Sequence, residues 1–331
     1  MLHILNGEST EGTLKQSSVP GLFFSFRDVL DHGPTPTGTD EQEWRRIRSA
    51  HLAESYGVEI EACEQGLLSQ EETLRSSSQH DEVVLWFEHD LFCQINLLYL
   101  LNWFAHSDLG QTKLSLINIG QFPGRENFRG LGELNAEELI SLFLQRQQVT
   151  PDQLNLAKAA WAAYRSPDPT AIETLLNTDT SSFPFLPRAF QAHLRRFPGT
   201  KNGLGQVENR SLELINNGSE KFIDLFPRFG NAEPVYGLGD AQLWLSLRML
   251  GRAPHPLLTV ANATAQEQLA LAPDVCHKAE FKLTEVGHAV LNGEVDFVAL
   301  NPIDLWLGGV HLTGNGNVWR WNEASGKLEI S

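Results

Sequence analysis

The sequence predicts an α/β protein. Short β-branched and aromatic runs alternate with helical stretches over residues 1–120, and polar or capping residues follow each run. Strands separated by helices imply a parallel sheet with right-handed crossovers. The pattern then becomes helical, and later changes to helices followed by strands. We therefore predict a Rossmann-like or flavodoxin-like parallel sheet domain over residues 1–130, a helical segment over 131–200 and a winged-helix-like α+β module over 201–331.

Four short apolar runs are the predicted strands of the first domain. Each is bounded by turn or capping residues, and together they cover residues 2–5, 22–26, 82–87 and 113–119. Two polar helices, over 41–56 and 58–76, are predicted between the second and third strands. They serve either as a cover over the strand ends or as ordinary crossover helices.

The remainder of the chain is predicted from helical spacing and capping residues. Residues 135–197 are expected to be entirely helical, with helices over 136–145, 150–164, 168–176 and 183–197. Three further helices are predicted over 207–216, 219–229 and 240–250. Strands at 256–260, 280–283 and 316–320 are expected to form one small sheet, which is the layout of a winged-helix module.

Charge argues against a nucleic-acid partner. The chain carries 41 acidic residues against 25 Lys and Arg, a formal net charge of −16, whereas nucleic-acid binders normally present a basic surface. The third helix of the C-terminal module, where a winged helix would contact DNA, offers only Arg248 as a base. We therefore expect residues 201–331 to serve a protein partner or a scaffold role, and we disfavour a DNA-binding regulator.

Cysteine usage and the N-terminus indicate the compartment. Cys63, Cys93 and Cys276 are few, widely spaced and odd in number, so they predict neither a disulfide framework nor a zinc cluster. Reduced buried thiols in a cytoplasmic protein are the simplest interpretation. No basic segment leads into a long apolar one at the N-terminus, and no apolar stretch is long enough to span a bilayer. The sequence thus predicts no signal peptide and no membrane partner.

The segment Glu88-His89-Asp90 is the strongest candidate for a functional site. It follows the apolar run 83–87 directly, at the carboxyl end of a predicted strand, where open α/β sheets bind ligands. Two carboxylates and an imidazole suit acid–base catalysis or a hard metal ion. Neighbouring acids would favour the protonated form of His89. Against a functional role, Asp90 is a natural N-cap, and alternate strand residues face opposite sides of the sheet.

Other predicted strand ends supply further polar residues. The turn at Asn6, Gly7, Glu8 and Ser9 could hold an anion on free amides, or it could be an ordinary turn with a helix cap. Gln121 follows the fourth strand. His3 lies inside the first strand, where a lone histidine is usually a satisfied core residue.

The pair Arg27-Asp28 ends the second strand. Arg27 could bind an anionic substrate, and Asp28 could ligate a metal or act as a base. The alternative is a salt bridge between the two or with Glu88. The segment 306–312, with Gly308 and Gly309, could likewise approach a ligand or form a hairpin turn.

Three of these stretches resemble the DUF1835 domain family of bacterial proteins: 2–10, 26–30 with Gly33-Pro34, and 85–91. The likeness continues through 160–165, 202–204 and 306–311, and so covers most of the chain. Glu8 stands where such proteins more often carry Asp, and its longer side chain would move a ligating carboxylate outward. The family name denotes unknown function, so the resemblance implies the architecture and the site positions but no reaction.

These observations together predict an enzyme acting on a small anionic substrate, hydrolytic or phosphoryl-transferring and assisted by Mg²⁺ or Mn²⁺. The catalytic residues would be His89, Asp28 and Glu88, and the metal ligands Asp28, Glu88 and Asp90. The substrate-binding residues would be Asn6, Gly7, Glu8, Ser9, Arg27, His3 and Gln121. The alternative is a non-catalytic sensor of a nucleotide-like ligand that signals through residues 201–331.

Overall fold

A computed structural model describes residues 1–126, 128–261 and 273–331, apart from the side chains of 273–275. The architecture is mixed α/β. A five-stranded sheet lies in the N-terminal part, helices dominate the middle, and small antiparallel sheets lie towards the C-terminus. The predicted α/β class is therefore confirmed at this level, while the Rossmann-like and winged-helix names stay predictions.

The five-stranded sheet has the order β2-β1-β3-β4-β5. Its strands are β1 (Leu2–Leu5), β2 (Leu22–Ser25), β3 (Glu82–Glu88), β4 (Lys113–Ile119) and β5 (Gln147–Gln148). The four predicted strands are present and parallel. The sheet as a whole is mixed, because a fifth strand that was not predicted, β5, pairs antiparallel with β4 through Ser115 and Leu116.

The same short strand corrects the prediction that 135–197 is entirely helical. Two exposed glutamines carry no strand pattern of their own, so their conformation depends on pairing with the edge of β4.

Helices α1 to α4 accompany the sheet: α1 (Glu8–Lys15), α2 (Glu41–Tyr56), α3 (Ile60–Arg75) and α4 (Leu91–His106). Asp40 caps α2 by accepting from the Glu43 amide at 2.8 Å. Asp90 caps α4 by accepting from the Cys93 amide, also at 2.8 Å. A side-chain oxygen at the N-cap satisfies an amide that has no partner inside the helix, so these two residues fix where α2 and α4 begin.

The middle helices are α5 (Ala136–Leu144), α6 (Pro151–Tyr164), α7 (Thr170–Leu176) and α8 (Leu186–Leu194). Thr150 caps α6 and Pro151 occupies its first turn, as the sequence predicts. Helix α4 packs against α6 and α8. The middle segment therefore covers the helix that begins at the predicted site.

The C-terminal part contains six helices and six strands within its described ranges. The helices are α9 (Gln206–Asn216), α10 (Phe222–Ala232), α11 (Asp240–Arg252), α12 (Pro273–Lys278), α13 (Glu285–Leu291) and α14 (Phe297–Leu300). The strands are β6 (Leu258–Ala261), β7 (Glu280–Leu283), β8 (Ile303–Leu307), β9 (Val310–Gly314), β10 (Trp319–Asn322) and β11 (Lys327–Ile330).

The six strands pair as three antiparallel hairpins or ladders: β6 with β7, β8 with β9, and β10 with β11. The expectation that the tail strand joins the sheet of residues 256–260 and 280–283 is therefore wrong. A local turn, closed by the Gly326 amide on the Asn322 carbonyl at 2.9 Å, gives β10 a nearer partner.

One buried apolar cluster contains residues from all three predicted segments, including Leu85, Tyr164 and Leu247. A smaller cluster covers the opposite face of the sheet around Trp86 and Leu139. Across the described ranges, every helix falls short of the length and apolarity that a bilayer crossing requires.

Candidate functional site

The end of β3 and the start of α4 bring three ionisable groups together. Oxygens of Glu88 and Asp90 and the sulfur of Cys93 all lie within 4.8 Å of one another. The Cys93 thiol donates to Glu88 Oε2 at 2.6 Å, and Asn6 Nδ2 donates to the Cys93 sulfur at 2.8 Å. We call Glu88, Asp90 and Cys93 the acid–thiol cluster. Cys93 was not among the predicted site residues.

The amides around this cluster hold its side chains in place. The Leu131 amide donates to Glu88 Oε1 at 2.7 Å, and Asp90 Oδ1 accepts the capping bond from Cys93. Asn96 donates both to Asn6 Oδ1 at 2.8 Å and to the Asp28 carbonyl at 3.0 Å. The ends of β1, β2 and β3 are thus linked by hydrogen bonds, as their parallel arrangement predicts.

Burial dominates the titration of the cluster. It raises the pKa of Asp90 to about 7, with the Glu88 charge adding to the effect. Burial likewise raises the pKa of Glu88 and of the Cys93 thiol. Among the described residues, no Lys, Arg or His side chain forms an ion pair or hydrogen bond with either carboxylate. These groups therefore lack the cation that normally accompanies a buried acid.

Asp28 lies apart from the cluster, because its carboxylate faces Arg48. Arg48 Nη2 donates to Asp28 Oδ1 at 2.6 Å, and both side chains are buried. Arg48 also donates to the carbonyls of Val29 and His32, at 2.9 and 2.7 Å. The pair therefore fixes the loop after β2. Asp28 forms no salt bridge with Arg27, and Arg27 pairs with Glu8 instead of Glu88, so both predicted alternatives are wrong.

The other predicted ligand-binding residues lie mainly at the surface. Arg27 pairs with Glu8 at 2.7 Å, and both side chains are about two-thirds exposed. Gly7 precedes α1 in extended backbone without a side-chain cap. Ser9 donates to the Gly132 carbonyl at 3.3 Å, and Gln121 is exposed. These residues therefore do not join the acid–thiol cluster.

His89 lies in an environment other than the expected one, whereas His3 is the satisfied core residue that a lone strand histidine usually is. His89 packs edge-on against Phe185, and burial and Arg188 lower its pKa, whereas the sequence argument expected neighbouring acids to favour its charged form. His3 is fully buried, accepts from Trp86 Nε1 at 3.1 Å and contacts the Pro20 carbonyl through Nε2 at 3.0 Å. Both of its ring nitrogens are therefore engaged within the core.

A cleft of about 970 Å³ lies between the N-terminal and C-terminal parts of the chain. Small-molecule sites typically occupy roughly 300–1,000 Å³. The walls come from the loop 32–39, from α2, from α11 and from the β8–β9 hairpin. We call this space the central cleft.

An aspartate and a histidine meet at one wall of the central cleft. His32 Nδ1 lies 3.0 Å from Asp31 Oδ2; Asp31 is fully buried, while His32 lines the cleft. Gln242 of α11 donates to Asp31 Oδ1 at 3.3 Å, and its own carbonyl accepts the Gly239 amide at 2.7 Å. Burial alone would raise the pKa of Asp31, but His32 and then Arg196 and Arg48 hold it below its usual value. Asp31 is therefore a buried carboxylate held in its charged form.

Arg196 lies beside this pair and lines the same cleft. Its side chain is 8% exposed, and its Nη1 donates to the Asp31 carbonyl at 2.5 Å. Within the described ranges no other hydrogen bond joins its guanidinium to the protein. The remaining N–H groups of Arg196 are thus free to bind a ligand. Arg46 and Arg248 also line the cleft.

His51 of α2 forms another part of the wall. Burial, together with Arg48 and His32, lowers its pKa to about 3. The loop approaches it closely at Gly33, where φ is +73° and a Cβ atom would lie 2.2 Å from the His51 ring. Only glycine fits this position, which accounts physically for Gly33.

The β8–β9 hairpin closes the far side of the cleft. Trp306 stacks on His311 with ring centroids 4.3 Å apart, and His311 Nε2 lies 2.6 Å from Asp304 Oδ1. The paired glycines form the hairpin turn, where the Gly309 amide donates to the Tyr164 carbonyl at 3.0 Å. The segment 306–312 thus forms a hairpin turn, and the hairpin's strands also line the central cleft. Acidic residues line the cleft as well: Glu43, Glu54, Glu208 and Asp304.

Apart from the segment 306–312, sequence reasoning did not single out the residues of the central cleft as a site. The adjacent Asp31 and His32 stand in a polar loop after a strand, which is a usable signal. Arg196, just after α8, and Gln242 of α11 lie far along the chain and carry no local motif. Their positions follow only from the tertiary structure.

Comparison with known proteins adds no family. No known family model matches the chain, and no curated protein is significantly similar to it. The resemblance to the DUF1835 family therefore stays a prediction.

Proposed function

We propose that this protein is an enzyme that binds a small molecule bearing an anionic group in the central cleft, with His32 as its acid–base residue. The observation that carries the proposal is the contact of His32 with buried Asp31 beside the incompletely bonded Arg196. This keeps the substrate class predicted from the sequence but moves the chemistry from His89 and Asp28 to Asp31 and His32 in the loop after β2.

The Asp31–His32 contact supports a proton-transfer role. Nδ1 of His32 lies 3.0 Å from Asp31 Oδ2 and 3.3 Å from Gln242 Nε2, so this nitrogen faces two protein groups and Nε2 is left to exchange a proton with a ligand. In hydrolysis of a phosphoester, Nε2 would take a proton from the attacking water while the phosphorus–oxygen bond forms. It would return that proton to the leaving oxygen as the ester bond breaks.

Arg196 supports the choice of an anionic ligand. A guanidinium presents N–H groups in a planar fork that matches phosphate and carboxylate oxygens. With one nitrogen engaged by the Asp31 carbonyl, the others are available at a buried position where charge-assisted bonds are strong. The acidic residues of the cleft would accept hydroxyl or amine groups, so a phosphorylated polyol or nucleotide-like molecule fits better than a bare anion.

A second candidate, a non-catalytic sensor, is favoured by the position of the cleft. Its walls join α2 and the loop 32–39 to α11 and the β8–β9 hairpin. A ligand held between them would stabilise one arrangement of the N-terminal and C-terminal parts. Binding without turnover would favour this candidate.

Binding and turnover are tested separately. Calorimetry with inorganic phosphate and pyrophosphate should show binding that weakens about tenfold or more in Arg196→Gln, because a charge-assisted bond is lost. The neighbouring Arg195→Gln removes an exposed arginine that pairs with Glu323 and serves as the matched control. Hydrolysis of p-nitrophenyl phosphate should fall by about 10²–10⁴ in His32→Gln, with exposed His106→Gln as its control.

The outcomes separate the candidates. Binding that depends on Arg196 together with turnover that depends on His32 supports the enzyme. Binding without turnover in the wild-type protein leaves the sensor. Absence of both binding and turnover, or equal effects of Arg195→Gln and Arg196→Gln, would overturn the assignment of the cleft.

A further inference from the structure

We propose that the acid–thiol cluster is a binding site for a divalent transition metal, with Zn²⁺ as the best match. Its three candidate ligands, Glu88, Asp90 and Cys93, come from the end of β3 and the first turn of α4. All three therefore lie on one rigid junction. This inference is independent of the central cleft.

The charge balance of the cluster is the first argument. Asp90 is 6% exposed and Cys93 is 3% exposed. Two carboxylates at such a position require either protons or a cation, because an unpaired buried charge is costly. Elsewhere among the described residues the buried acids do have cations, as in Asp28 with Arg48 and Glu71 with Arg45. Glu88 and Asp90 stand out because their donors are amides and a thiol.

The donor set is the second argument. Thiolate with carboxylate suits zinc and similar metals, whereas Mg²⁺ and Mn²⁺ prefer sites made of oxygen alone. The predicted set of Asp28, Glu88 and Asp90 would have favoured Mg²⁺ or Mn²⁺. In the structure the third candidate ligand is Cys93 and not Asp28, so the expected metal changes from Mg²⁺ or Mn²⁺ to Zn²⁺. Metal binding would release the Cys93 thiol proton, since the thiolate is the ligand.

The surroundings of the ligands are the third argument. Asn6 donates to the Cys93 sulfur, and the Leu131 amide donates to Glu88 Oε1. Hydrogen bonds of this kind orient metal ligands and compensate their charge. The Asn6 amide thus orients the Cys93 sulfur and the Leu131 amide orients the Glu88 carboxylate, and neither donor is itself a metal ligand.

A second group, Asp240, Cys276 and His277, also has its candidate ligand atoms within 4.8 Å. Here the Asp240 carboxylate already lies 3.6 Å from His277 Nε2, and both side chains are about half exposed. Solvent and the imidazole can therefore balance the carboxylate. We use this group as the internal control.

The experiment is a Co²⁺ titration of the metal-free full chain, followed by absorption. We expect one equivalent of Co²⁺ to produce a thiolate-to-cobalt charge-transfer band that Zn²⁺ removes by competition. Cys93→Ser should abolish the band, whereas Cys63→Ser and Cys276→Ser should retain it. Asp90→Asn should weaken binding about tenfold or more, and asparagine still caps α4, so the fold is kept.

Three results would overturn the proposal. They are a wild-type protein without the band, a band that Cys276→Ser removes and Cys93→Ser does not, and unchanged affinity in Asp90→Asn. Circular dichroism checks that each variant is folded. If Asp90→Asn and Cys93→Ser do not fold, the wild-type and Cys276→Ser titrations are still informative. A band that persists in Cys276→Ser excludes the group of Asp240, Cys276 and His277 as its source.

Discussion

Gly237 lies directly against Asp90, so that a Cβ atom at position 237 would come within 2.3 Å of Asp90 Oδ1. Gly237 precedes α11, whereas Asp90 begins α4, and the contact thus joins the C-terminal part to the predicted site. The backbone at 237 also has φ of +63°, a conformation that is energetically unfavourable for residues other than glycine.

Gly237→Ala should therefore be destabilising. Steric overlap with a buried carboxylate and an unfavourable φ act together, and we expect a loss of about 2 kcal/mol or more in the free energy of unfolding. Urea unfolding followed by circular dichroism measures it. Gly230→Ala is the matched control, because that glycine lies inside α10 and a Cβ atom there would meet nothing within 4 Å. A Gly237→Ala protein as stable as Gly230→Ala would contradict the contact.

Arg48→Met should be strongly destabilising, since it leaves the Asp28 carboxylate buried without its cation. Removal of one partner of a buried ion pair costs about 3–5 kcal/mol. The Asp28→Asn/Arg48→Met double variant should recover part of that loss, because the uncompensated charge is gone. Urea unfolding of the two single variants and the double variant gives the coupling energy. Additive losses would show that the two side chains do not interact.

Local signals in the sequence located most elements of the N-terminal part. Asp40 and Asp90 mark the starts of α2 and α4 because an N-cap depends on residues within one turn. The strand Gln147–Gln148 could not be predicted in this way, since it forms only by pairing with β4. The C-terminal strand was misassigned for the same reason. Its pairing as β10 with β11, instead of with the strands at 256–260 and 280–283, depends on contacts between segments and not on a local signal.

The candidate sites show the same division. Cys93 is one helical turn after the cap Asp90, so its approach to Glu88 and Asp90 could have been anticipated from helical spacing. Arg48 lies 20 residues after its partner Asp28, on helix α2. The sequence did not show which face of α2 points towards the protein interior. Arg196 and Gln242 reach Asp31 only because α8 and α11 pack against the loop after β2. Such long-range contacts have no signature in a single sequence.

His193 should make stability depend on pH. It is buried between Tyr164 and Phe197, and burial, with Arg196, lowers its pKa to about 3. The unfolded chain binds a proton on this histidine below pH of about 6.5, while the folded protein stays neutral there until about pH 3. Stability from this group is therefore complete above the unfolded pKa and is lost as the pH falls towards 3.

His193→Phe removes the titrating group and keeps an aromatic ring beside Tyr164. Unfolding free energies measured by urea between pH 7 and pH 4 should then fall less steeply than in the wild-type protein. At about 1.4 kcal/mol per pKa unit, the difference between pH 7 and pH 4 is at most about 3.5 kcal/mol, since His193 of the unfolded chain begins to bind a proton near pH of about 6.5. His106→Gln, at an exposed position, is the control substitution. Parallel curves for His193→Phe and the wild-type protein would show that His193 does not titrate as its burial implies.

Gln242→Glu should disturb the central cleft more than Gln242→Ala. The Gln242 amide donates to Asp31 Oδ1 while its carbonyl accepts from Gly239, so its orientation is fixed. Glutamate would place a second carboxylate against buried Asp31, whereas alanine removes the donor to Asp31 and the acceptor of the Gly239 amide without adding a charge. We expect a loss of about 1–3 kcal/mol in unfolding free energy for Gln242→Ala, the cost of an unsatisfied buried group, and a larger loss for Gln242→Glu at neutral pH.

Because protonation of the new carboxyl restores a donor towards Asp31, the gap in unfolding free energy between the two variants should narrow as the pH is lowered to about 4. Urea unfolding at both pH values measures the gap, and a constant gap would mean that position 242 does not act through the Asp31 carboxylate.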